Sequence, residues 1–202
     1  MKLDKTAVRI CGIVGGALFV LQALYTIWIY VRLTGGNLLS LLAPAEYLLL
    51  GAMALLNRRE KGLIIGAWLL LVHNALSLLT SFISVAAAEQ LNPVVRNLML
   101  ASTVGNLSAV LLAVVLLKSV RAAGNARPLP TGVCALPAVA QVVAFTVQML
   151  LTGETGSLTA GGVLNIVLRV GGTLLVCLWA GAVQEPSFGE EPLPFEEEGG
   201  LF

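Results

Sequence analysis

A chain of 202 residues that is 57% hydrophobic and 11% charged has less than half of the roughly 25% charge that soluble domains carry. It is long enough to bury a sizeable core but too poor in charge to cover that core in water, which excludes a soluble fold. A formal net charge of +1 removes any bulk electrostatic case for binding nucleic acid.

The apolar residues fall into six runs of about the 20 residues a helix needs to cross a hydrocarbon layer: 7–31, 38–56, 62–87, 98–117, 132–152 and 159–183. The pattern predicts an all-α polytopic membrane protein, a bundle of six transmembrane helices over residues 1–183, followed by a tail, 184–202. The first run carries Gln22 and closes on "RLTGGN". It is too long, and too short of small residues at a cleavage position, for a removed signal peptide. The second contains "LLAPAEYLLL", with Glu46 near its midpoint and Pro44 two residues earlier. After "NRREK" the third run centres on His73 and Asn74, and His73, Ser77, Ser81 and Ser84 recur at the spacing of one helix face. "EQLNPVVRN" leads into the fourth, where Ser102 and Asn106 are four apart. "KSVRAAGNARPLP" precedes the fifth, with Pro137 four residues before Gln141 and Gln148 seven after it. "TGETGS" precedes the sixth, where Gly162, Asn165, Arg169 and Thr173 form one stripe with Arg169 near the centre.

The basic residues give the orientation. Lys2, Lys5, Arg9, Arg58, Arg59, Lys61, Lys118, Arg121 and Arg127 fall on one side of the six runs, Arg32 and Arg96 on the other. That bias predicts cytoplasmic termini, consistent with an even number of spans. The chain is compact and shows no sorting signal, so a bacterial plasma membrane is the expected location. Trp28, Tyr30 and Trp179 lie near run ends, as interfacial anchors do. Gly12 with Gly16 and Gly62 with Gly66 have the spacing that allows close helix approach.

A charge at the bilayer midplane costs about 2.5–3.5 kcal/mol on insertion scales, so Glu46 and Arg169 need partners. The expectation is that Glu46 is held across the bundle by Arg169, or by an amide or imidazole. A protonated, neutral Glu46 is the other solution, because burial disfavours the charged form. Glu46, His73, Asn74, Asn106, Gln141, Asn165 and Arg169 are thus the candidate site for a small polar ligand. An anionic group would meet Arg169, and a proton or cationic end would meet Glu46. Pro44 and Pro137 are expected to interrupt the second and fifth helices at the depth of their polar residues. Paired interruptions in two equivalent three-helix halves mark midplane sites in transporters. The alternative is that these groups only join helices, each worth about 0.6–2 kcal/mol, in a non-transporting subunit or scaffold.

Other chemistry is poorly served. A single histidine cannot make a bis-histidine haem site, and the odd cysteines, Cys11, Cys134 and Cys177, lie in apolar runs without zinc or disulfide spacing. No metal and no cofactor is expected. G-x-S-x-G, Walker A and dinucleotide fingerprints are missing, which makes an intramembrane enzyme the least supported reading. The tail has six glutamates, three prolines, three phenylalanines and no basic residue. It is expected to stay unfolded in the cytoplasm, with Phe188, Phe195 and Phe202 as anchors for a protein partner. In length and span count alone the chain resembles the substrate-capturing subunits of vitamin-uptake transporters; none of their sequence motifs is present.

Overall fold

The computed structural model describes residues 4–34, 41–58, 61–87, 93–124, 129–152 and 160–182. The acidic tail with Phe188, Phe195 and Phe202 lies outside the described residues, as do Lys2, Arg59 and Arg127. The described chain is helical and contains no strand: α1 (Lys5–Thr34), α2 (Leu42–Leu55), α3 (Lys61–Ala87), α4 (Pro93–Gly124), α5 (Thr131–Thr152) and α6 (Ala160–Gly181).

Five of these, all but α2, are long and apolar enough to cross a membrane. At 14 residues, α2 is about 21 Å long, against a hydrocarbon core of about 30 Å. The second run, expected over 38–56, is therefore shorter as a helix; residues 38–40 lie outside the described set. The fourth run is longer than expected, 32 residues instead of 98–117. Pro93 opens it at a position where a missing N–H costs no intrahelical bond.

Large apolar side chains face outward: Ile10, Leu21, Leu76, Phe82, Leu150 and Val167 are each more than half exposed. Water would not tolerate apolar cover of that extent on a monomer, and lipid requires it. The chain is a helical membrane protein by this surface and by its five long apolar helices.

The helices touch in chain order around the bundle, α6 closing back onto α1, and α6 also meets α2 and α4. Contact is most extensive within the set α6–α1–α2 and within the set α3–α4–α5, and thinner between them. The two groups are thus not the chain's first and second halves. In the first set, glycine sets the spacing. A Cβ on Gly16 would stand 2.7 Å from the carbonyl oxygen of Gly51, and one on Gly51 2.8 Å from that of Gly16. A hydrogen is all that fits there, so α1 and α2 meet backbone to backbone.

Two residues past its last helical position, Leu55, α2 is closed by Asn57 in the left-handed region, φ 52°. The Asn57 N–H bonds the Ala54 carbonyl at 3.1 Å and the Arg58 N–H the Met53 carbonyl at 2.8 Å, the paired bonds of a Schellman ending, for which asparagine is one of the few side chains that serve. The Asn57 side-chain oxygen accepts from the Trp179 indole N–H at 2.9 Å. Trp179 is fully buried against Gly12. It is a packing residue inside the bundle, not the lipid-facing anchor its place near a run end predicts.

The basic residues gather at one end. Lys5 and Arg9 share a cleft with Asn57, while Lys118 and Arg121 share another with Ile64 and Trp68 in the opening turns of α3. At the far end of α1, Arg32 sits 5.7 Å from the Trp28 ring centroid.

Gly51→Ala should lower stability by about 1–3 kcal/mol through overpacking, although alanine is the better helix former. Gly132→Ala, with nothing within 4 Å of its added Cβ, should be neutral. Thermal unfolding of both variants in one detergent measures the difference.

Candidate functional site

Glu46 lies in the second turn of α2, yet it sits deep in the bundle. The register is fixed by Phe19, midway along α1, whose ring meets Tyr47 edge-on at 5.3 Å between centroids, with planes at 78°. Because α2 starts late, its opening turns lie level with the centres of its neighbours. Pro44 occupies the first turn, where backbone N–H groups have no intrahelical acceptor. It therefore interrupts nothing, contrary to the expectation of a break at mid-helix. Pro137 does lie inside α5, where it denies the Val133 carbonyl its usual partner.

The acid and the base are both held, but not by each other. Glu46 Oε1 lies 2.8 Å from His73 Nδ1 on α3. A terminal nitrogen of Arg169 donates to the Tyr47 hydroxyl at 2.9 Å, and the guanidinium carbon stands 5.2 Å from the Tyr47 ring centroid. Among the described residues no Glu46–Arg169 ion pair forms. Of the partners expected for Glu46, the imidazole takes the place and Arg169 does not. The reason is helical geometry: consecutive residues point about 100° apart, so Glu46 turns toward α3 while Tyr47 turns toward α1 and α6.

The amides divide into two kinds. Gln141 Oε1 accepts from Thr173 at 3.0 Å, joining α5 to α6, and Asn74 donates to the Leu70 carbonyl of its own helix at 2.8 Å. Gln22 donates to Thr26 Oγ1 at 3.1 Å and to Asn165 Oδ1 at 3.4 Å. Gln148 donates to the Ala101 carbonyl at 2.9 Å, across α4 and α5.

A cavity of about 260 Å³ opens among these groups. Every helix contributes: Gln22, Thr26 and Tyr30 from α1, Glu46 and Tyr47 from α2, His73 and Asn74 from α3, Ser102 and Asn106 from α4, Gln148 from α5, Asn165 and Arg169 from α6. Of the sequence candidates, Gln141 alone lies elsewhere. It lines an adjoining hollow of about 190 Å³, which shares Gly105, Gln148, Asn165 and Arg169 with the first. Tyr47, Tyr30 and Thr26 are the residues that sequence reasoning missed. Thr26 stands one turn after Gln22, and Tyr47 is next to Glu46; both were visible as neighbours.

Among the described residues four buried polar atoms find no partner: Glu46 Oε2, Gln22 Oε1, Arg169 Nε and Gln141 Nε2. The large majority of buried side-chain polar atoms in folded proteins are satisfied, so four around two joined hollows is a concentration. Among the described residues no group of three His, Cys, Asp or Glu comes together to hold a metal ion. Comparison with protein-family models, characterised proteins and solved structures finds nothing that matches the chain.

His73→Ala should cost about 3–5 kcal/mol, because it leaves the Glu46 carboxyl buried without its partner. Glu46→Gln should cost less, since an amide still bonds the imidazole. In Glu46→Ala/His73→Ala the two losses should fall short of additive, as unfolding of the four proteins of this cycle in detergent would measure.

Proposed function

We propose that the chain is a six-span protein, with cytoplasmic termini in a bacterial plasma membrane, that binds a small polar molecule or ion in the mid-depth cavity and carries it across. In this reading the apolar run that contains α2 makes the remaining crossing. The collection of Lys5, Arg9, Lys118 and Arg121 at one end supports the sidedness, because cytoplasmic flanks are the basic ones.

One observation carries the reading. Glu46, Gln22 and Arg169, from three helices, line one cavity, and each keeps a buried polar atom without a partner. Groups that only join helices are consumed in pairs, as the Trp179 indole N–H and the Asn57 amide oxygen are. An unmade bond at a buried group costs about 1–3 kcal/mol, more at a charged one, and a ligand that completes those bonds recovers the cost. The volume, about 260 Å³, equals the liquid share of about eight or nine waters, which selects a small cargo. The thin contact between the two three-helix sets supports movement of one against the other around the site.

In proteoliposomes, Arg169→Ala and Glu46→Ala should each reduce uptake at least about tenfold while the protein remains folded. Leu76→Ala, at a lipid-facing position, should leave uptake unchanged. Uptake by both site variants at the unmodified rate would place the pathway elsewhere.

A further inference from the structure

We infer that the cavity takes a small organic anion together with one proton, the anion at Arg169 and the proton on the Glu46–His73 pair. This rests on the reading of the cavity as a ligand site and specifies what enters it.

The inference comes from how the charges are already engaged. The charged and titratable groups facing the cavity are Glu46 and Tyr47 from α2, His73 from α3, Tyr30 from α1 and Arg169 from α6; α4 and α5 bring only hydroxyl and amide groups. The acid has its partner, His73 at 2.8 Å. The base has none of opposite charge among the described residues: a neutral tyrosine holds Arg169 by its hydroxyl and its ring. One buried N–H of that guanidinium, on Nε, lacks an acceptor. A carboxylate is the group that a guanidinium edge fits best, through two parallel bonds. A cation entering the same cavity would be repelled by Arg169 and would find one of the two carboxylate oxygens, Oε1, already bonded to His73.

The proton follows from charge balance. With Glu46 ionised and His73 neutral, the groups around the cavity sum to zero. An anion adds one negative charge in a medium where uncompensated charge is expensive. One proton taken from water, forming an O–H bond on the carboxyl, restores the balance. Glu46 Oε2 and Gln22 Oε1 are both buried acceptors without a donor. Protonation on Oε2 turns one of these two acceptors into a donor. Binding of the anion and of the proton then reinforce each other, and affinity for the anion rises as pH falls.

The test uses the full chain in detergent with three probes of matched size: acetate, acetamide and ethylammonium. Between pH 6 and pH 8 acetate stays largely ionised, its carboxyl titrating about one unit below that range. Acetate alone should raise the unfolding temperature, and its apparent affinity should fall as pH rises, by up to about tenfold per unit, the limiting slope of one proton per anion. Arg169→Ala should abolish the effect. Glu46→Gln, a fixed mimic of the protonated acid, should flatten the slope and bind acetate at pH 8 as tightly as the unmodified protein does at pH 6. Equal stabilisation by acetamide or ethylammonium would overturn the anion while leaving the cavity a ligand site. Acetate affinity independent of pH, or a slope that survives Glu46→Gln, would overturn the proton. No stabilisation by any probe at either pH would overturn the inference together with the ligand site.

Discussion

Inside a hydrocarbon layer a polar group has no water to fall back on, and whatever bonds it makes must come from the bundle itself. That constraint organises the middle of this protein. The dipeptide Glu46–Tyr47 sends two polar side chains in different directions from one helix. The acid goes to His73 on α3. The phenol goes to Arg169 on α6, with its ring packed on Phe19 of α1. Four helices are thereby tied through two adjacent residues, and the groups left incompletely bonded among the described residues line the cavity or the hollow beside it.

Glycine lets this arrangement form. The contact of Gly16 with Gly51 brings α1 and α2 to backbone distance and so fixes how far along α1 the start of α2 lies. Had the helices been held apart by side chains, Tyr47 would not reach both Phe19 and Arg169. The left-handed Asn57 then ends α2 and presents its amide to Trp179, which anchors the far end of the same helix against α6. A short helix is thus held at both ends, by aromatic contacts at mid-depth and by an amide–indole bond near the basic end.

Much of this was legible in the sequence, and the misses have physical causes. Apolar runs and charge clusters report directly on the bilayer, so the helical class followed from composition and length; of the six spans expected, five appear as helices long and apolar enough to cross. The cavity-facing residues were legible because polar groups in such runs are few and each needs a partner inside. The partner of Glu46 was not legible beyond a choice of chemistries, because which neighbour a side chain meets depends on helix rotation. The place of Pro44 was misread for a related reason: a proline looks the same in a sequence whether it breaks a helix or opens one, and only the start of α2 at Leu42 decides. Trp179 was misread because nearness to the end of a run says nothing about which way a ring faces.

The grouping of helices into α6–α1–α2 and α3–α4–α5 has a mechanical consequence. Arg169–Tyr47, Gln22–Asn165 and Trp179–Asn57 are bonds internal to the first group, and Gln148–Ala101 is internal to the second. Glu46–His73 and Thr173–Gln141 span the seam instead. These two bonds act as side-chain latches on the line where the groups meet, the line along which the proposed transport movement would hinge. One latch is the acid–imidazole contact itself, so whatever alters its bonding also alters the stiffness of the joint.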